Sequence, residues 1–150
     1  MNLFSVVNNH VLLSVLIAWA LAQCLKIPLS YLSTRKWNWV LLFRAGGMPS
    51  SHAALITAAA HAIGLYIGFD TPLFGLAFAL AMIIFYDATG IRRQAGMHAR
   101  KINVIIDELL KGHPVSDKQL REVLGHTPLE ALGGFLLGLA VTQLLWLVWR

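Results

Sequence analysis

Charge is what this sequence has least of. Only 13% of its 150 residues are Asp, Glu, Lys or Arg, against 57% hydrophobic residues and a mean hydropathy of +0.66. So few charges cannot cover a water-facing globule of this length, and the apolar residues fall in long runs. That excludes an ordinary soluble domain and predicts an integral membrane protein. Cysteine is almost absent: Cys24 stands alone inside an apolar run, which excludes an intrachain disulfide and a cysteine zinc site. No set of histidines and carboxylates has metal-ligand spacing, so neither metal nor cofactor is expected. The first segment lacks the basic start and small-residue cleavage site of a signal peptide. Acidic residues are the scarcer sign, 7 against 12 Lys and Arg, for a net charge of +5. The basic residues flank apolar runs and do not form an aromatic-interleaved soluble face, so the expected partners are anionic membrane lipids, not nucleic acid.

Turning to what is there, Leu3 to Leu25 is a first span. Pro28 and the stretch from Tyr31 to Asn38 read as a break and an interfacial segment, with Trp37 and Trp39 at headgroup level beside Arg35 and Lys36. Val40 to Phe43 is too short to span. Ala53 to Phe69 is a second span, Asp70-Thr71-Pro72 turns the chain back, and Leu73 to Tyr86, extended by Asp87, Ala88 and Thr89, is a third. Leu129 to Trp149 is the last, with Trp146 and Trp149 as interface anchors. Gly64 and Gly68, like Gly134 and Gly138, have the small-xxx-small spacing that lets membrane helices approach closely. From Gly90 to Gly125 the composition turns polar. Ile102, Ile105, Ile106, Leu109 and Leu110 follow a helical period, predicting an amphipathic helix on the membrane or against the bundle that Gly112 and Pro114 end. Ser116 to Gln119 has capping-box spacing and opens a short helix ending at Gly125. The expected fold is one all-α domain over 1–150, a polytopic membrane helix bundle of about four transmembrane helices with interfacial and amphipathic helices.

Both basic stretches, Lys26 to Arg44 and Arg92 to Arg121, lie between spans, and the Asp70 turn carries no Lys or Arg. The positive-inside rule then predicts a multi-pass protein of the cell inner (plasma) membrane with both termini outside and both basic loops cytoplasmic. Three polar clusters fall on that one face. In Gly46-Gly47-Met48-Pro49-Ser50-Ser51-His52, glycines permit positive φ, Ser50 or Ser51 can cap the helix that follows, and amides, hydroxyls and an imidazole meet at a helix N-terminus. That is the composition of an anion site, and equally of a capped helix start. The second cluster places Asp87 at a membrane boundary, where an ionisable group is costly unless paired or functional, with Arg92 and Arg93 as partners or as phosphate ligands. The third has His126 and Glu130 four apart, able to share a helix face. Thr127-Pro128-Leu129-Glu130 is also a capping box with Pro at the first helical position, which accounts for every residue there except His126.

Two histidines at helix starts, with arginines between them, are the parts of a metal-free phosphoryl transfer. One imidazole attacks phosphorus, the other protonates the leaving oxygen, and cations and amides hold the equatorial oxygens. At these residues the chain resembles the type 2 phosphatidic acid phosphatase and vanadium haloperoxidase superfamily. Pro49-Ser50-Ser51-His52 is similar to its central Pro-Ser-Gly-His motif, and His126-x3-Glu130 to its closing His-x3-Asp. The wider pattern GGMPSSH, YDATGIRRQAG and LGHTPLEALGG resembles the divergent bacterial and plastid branch, small membrane proteins of about this length. The resemblance implies His126 as nucleophile, Glu130 as its orienting acid and His52 as general acid. It further implies Gly47, Ser50 and Ser51 as phosphate ligands. The superfamily's Lys-x6-Arg-Pro motif is absent, leaving Lys26, Lys36 and Arg44 as candidates for its cations. Arg121 lies one residue too close to His126 to serve as the third motif's arginine, a place that Arg92 and Arg93 take in this reading.

The expected function is a cytoplasm-facing membrane phosphatase acting on a lipid phosphate monoester of phosphatidylglycerophosphate or phosphatidate type through a phosphohistidine. The alternative is a non-catalytic protein that binds or transports anionic lipids. Four spans are fewer than the superfamily's usual six helices, and a homodimer is one way to complete the bundle. His61, far round the helix from His52 and deeper, is expected to pack or hydrogen-bond inside the bundle. His10, His98 and His113 sit in polar or interfacial surroundings.

Overall fold

A helix of small residues forms the axis of the structure. The computed structural model describes residues 4–43, 46–87, 90, 92–109 and 127–150. Described residues are all-helical or turn: α1 (Phe4–Val7), α2 (His10–Thr34), a 3-10 turn (Trp39–Leu42), α3 (Ser51–Tyr66), α4 (Pro72–Tyr86), α5 (Arg92–Leu109) and α6 (Pro128–Trp149). Ala53, Ala54, Ala58, Ala60 and Ala62 of α3 are buried, and because their side chains are short, α2, α4 and α6 all pack closely on it. Gly134 and Gly138 do the same from α6. A Cβ at Gly134 would strike the Ser50 carbonyl, and one at Gly138 would lie 2.6 Å from the Ala54 carbonyl.

These contacts set the helix directions. Gly134 faces Ser50 and Gly138 faces Ala54, so α3 and α6 run parallel. Lys26 reaches Ser51 while Ala18 packs with Ala58 and Val141, so α2 is antiparallel to both. The Thr71-capped turn sends α4 back, and its Phe85 ring meets Phe135 of α6 at 5.9 Å. One end of the bundle therefore gathers the C-termini of α2 and α4 and the N-termini of α3 and α6. The opposite end is aromatic, with the His10 ring 5.4 Å from Tyr66 and 4.9 Å from Trp149.

Two expectations need correction. The first span does not break at Pro28: α2 runs on from His10 to Thr34 with Pro28 inside it, ending at Arg35, whose φ of 56° gives a left-handed cap. Packing of α2 against α3 and α6 overrides the local cost of proline, as membrane helices commonly permit. The second span stops at Tyr66, because Gly68, at φ +129°, turns the chain before Phe69. Gly68 is thus a turn residue and not part of a helix-packing pair, and Gly64 is covered by the returning Phe69 ring. Among the described residues, α2 and α6 are the two helices long and apolar enough by themselves to cross a membrane. With 16 and 15 residues, α3 and α4 extend about 24 and 22 Å at 1.5 Å per residue, short of a core about 30 Å thick.

At the C-terminal end of α2 the rings of Tyr31, Trp37 and Trp39 stack, 4.6 and 6.0 Å between successive centroids. Gln23 Nε2 donates to the Leu42 carbonyl at 3.0 Å, folding the 3-10 turn back onto α2. The amphipathic helix is present as α5; Ile102 and Ile105 are exposed and Asn103 is buried. The short helix expected from Ser116 to Gly125 lies outside the described residues.

Candidate functional site

Ser50 is where the two parallel helices are joined. Its hydroxyl accepts from the Ala53 amide at 3.2 Å and caps α3, while its own amide donates to the Glu130 carbonyl at 2.9 Å. The first turns of α3 and α6 are thereby held side by side, and their first-turn N–H groups and positive dipole ends point to the same end of the bundle. Gly46 and Gly47 lead into this junction at φ +94° and +85°, the left-handed region that glycine enters without strain. Pro49 follows through a cis peptide bond and is buried at the junction, close to Gly133 of α6.

Lys26 completes the arrangement. Although charged, it is only 2% exposed, and its Nζ donates to Ser51 Oγ at 3.3 Å. Its aliphatic stem passes Gly47, where a Cβ would lie 3.9 Å from Lys26 Cδ. The Glu130 carboxylate acts on it electrostatically. A buried ammonium in a membrane helix needs such a counter-charge. Beside it opens a cleft of ≈ 350 Å³ lined by Lys26, Ser30, Ser33, Gly47 and Met48, with Leu29 and Leu41 forming the apolar wall. A buried ammonium, serine hydroxyls and two helix N-termini together can hold an anion with several oxygens.

Of the residues singled out from the sequence, Lys26, Gly47, Ser50, Ser51 and Glu130 are brought together. His52 follows in the first turn of α3 with its side chain exposed. Glu130 has a structural task as well: its Oε2 accepts from the Thr127 amide at 3.0 Å while Thr127 Oγ1 accepts from the Glu130 amide at 3.3 Å, the capping box expected at that position. Lys36 lies past the end of α2, exposed and not lining the cleft. Asp87 caps the C-terminus of α4, partly buried. Arg92 and Arg93 open α5. His126 and Arg44 lie outside the described residues.

Ser30 and Ser33 are the cleft residues that the sequence reading missed. They stand four and seven positions after Lys26, on its helix face, and the signal was visible once the helix is carried through Pro28.

The model of the family described as the divergent PAP2 family matches residues 7–141. A protein of Bacillus subtilis (strain 168), named uncharacterized membrane protein YuiD, is 38% identical over 149 residues, covering 92% of this chain and 94% of its own length. No solved structure matches.

Proposed function

The chain belongs to the divergent PAP2 family, and from that premise we propose that it is a membrane phosphatase hydrolysing a lipid phosphate monoester of phosphatidate or phosphatidylglycerophosphate type. The observation that carries this reading is Lys26, buried and bonded to Ser51 at the point where the N-termini of α3 and α6 meet. The phosphate would lie at that junction against the Lys26 ammonium, the Ser50 and Ser51 region and the Gly47 backbone, with Arg92, Arg93, Lys36 and Arg44 as further cations from the flanking segments. The acyl chains would stay in the bilayer beside the apolar wall of the cleft.

In the mechanism, the His126 imidazole attacks phosphorus and the P–O bond to the lipid breaks. His52, in the first turn of α3, gives its proton to the departing alkoxide. Water then attacks the phosphohistidine, and inorganic phosphate leaves. Glu130 would hold His126 in the reactive tautomer in addition to capping α6. Ammonium and helix-end amides stabilise the charge that gathers on the equatorial oxygens, and no metal is called for. The site would face the cytoplasm of the inner membrane, because α2 and α4, which lead into the two basic stretches of the sequence, end at this end of the bundle.

Phosphate release from a panel of lipid phosphates by the purified protein in detergent, without added metal, tests the proposal. Release by the wild type, lost in His52→Ala and His126→Ala, with a phosphoenzyme trapped in the wild type and absent from His126→Ala, supports it. No release from any lipid, with anionic lipid binding equal in wild type and variants, replaces it with the non-catalytic reading, which the capping role of Glu130 favours.

A further inference from the structure

A second hollow, open on one side, lies on the side of α3 that faces α4 and α6. It measures ≈ 240 Å³ and its wall is overwhelmingly apolar, with the rings of Phe69, Phe74, Phe78, Phe85 and Phe135 around it. It extends along α4 from Phe74 to Phe85, eleven residues or about 16 Å at 1.5 Å per residue. Its upper end, at Phe85 and Phe135, is adjacent in sequence to Gly134, which lies against Ser50.

Two polar side chains interrupt this wall, one helical turn apart on α3. Thr57 is only 4% exposed and its Oγ1 has no hydrogen-bonding partner among the described residues. His61 lies against the Leu139 backbone, and its Nδ1 is buried and likewise without a partner among the described residues. In the tautomer that carries its proton on Nε2, toward Leu139, Nδ1 is an acceptor in search of a donor. The Thr57 hydroxyl can both give and accept. Leaving buried polar atoms unmatched is costly, and a bilayer offers little water to relieve it.

We propose that this cavity binds a single-chain lipid alcohol. One hydroxyl satisfies both side chains: it donates its proton to His61 Nδ1 and accepts from Thr57 Oγ1. A ketone or ester carbonyl would satisfy Thr57 alone, and a hydrocarbon neither. The helix of a second copy has its backbone groups already bonded, so it would cover the rings without answering the two polar atoms. At about 30 Å³ per water-sized group, the volume takes a stretch of one chain and not two. Aromatic walls suit an unsaturated or branched chain. This is a binding site separate from the Lys26 cleft, and it does not depend on hydrolysis there.

The test uses farnesol and its methyl ether, which share a chain and an oxygen acceptor but differ in the donated proton. Binding of each to the purified full-length protein in detergent is measured by equilibrium dialysis with radiolabelled ligand, alongside thermal unfolding. Wild type and His126→Ala are expected to bind farnesol about tenfold more tightly than the ether and to unfold at higher temperature with farnesol present. Thr57→Val, which keeps the shape but removes the shared donor, is expected to weaken both ligands while retaining most of that preference, and His61→Phe to abolish the preference. Equal binding of alcohol and ether by the wild type, unchanged binding of both ligands in Thr57→Val, or no binding by a folded wild type overturns the proposal. Loss of hydrolysis in His126→Ala with the preference retained separates this site from the phosphatase reading.

Discussion

Lys26 sets the chemistry that the residue scale allows. A buried ammonium held by Ser51 and the Glu130 charge is costly as a structural device, and the Glu130 carboxylate, only partly buried, keeps its bond to the Thr127 amide when the ammonium is removed. Lys26→Met is therefore expected to fold and to reach the membrane, yet to release lipid phosphate about 100-fold more slowly or less, the loss typical of removing one preorganised donor. Comparing kcat/KM with the thermal unfolding temperature checks both halves. Gly47→Ala acts through the backbone instead. At φ +85° the added Cβ is strained by about 1 kcal/mol, and relief of that strain moves the chain entering the Ser50 junction. Activity should fall more than stability. Ser50→Ala shows the reverse weighting, about 1 kcal/mol of stability from the lost cap, read by detergent or heat titration.

Between elements, the parallel contact of α3 and α6 carries the site, because it places their two N-termini together. Two glycines of α6 differ only in what a Cβ would meet. At Gly138 it would press on the Ala54 carbonyl and the Thr57 side chain, which cannot withdraw without separating the helices. At Gly133 it would meet the far end of Met48 at 3.4 Å, which can give way. Gly138→Ala is expected to destabilise by about 1–3 kcal/mol, and Gly133→Ala to remain within a few tenths of the wild type. Thermal unfolding of the two variants in one detergent decides it, and equal behaviour would mean that α3 and α6 are not packed this closely.

For the molecule as a whole, α2 and α4, which lead into the two basic stretches of the sequence, end at the site end, and the Asp70 turn lies at the other. The expected topology is tested by thiol labelling of intact cells and inverted vesicles in a Cys24→Ser background. Trp37→Cys and Lys111→Cys should react only from the cytoplasmic face and Asp70→Cys only from the opposite face. Labelling of all three from one side would mean that α3 and α4 do not cross the bilayer, a result their 16 and 15 residues make informative.

The membrane environment, the helical class and several local devices are legible in the amino-acid sequence. Scarce charge and long apolar runs require a nonpolar solvent. Thr127 to Glu130 could hardly avoid a capping box, and Ser50 before an alanine run could hardly avoid capping it, since both depend on neighbours within four residues. The remaining features depend on residues far apart in the chain. Pro28 reads locally as a break, and packing against α3 and α6 carries the helix through it. That continuation puts Lys26 on a helix face with Ser30 and Ser33 and delivers its ammonium to Ser51, 25 residues away. The parallel course of α3 and α6, which brings two ordinary helix starts together at one end of the bundle, follows from Gly134 and Gly138 meeting the α3 backbone. A glycine pair announces close approach, but its partner and direction are properties of the packed bundle.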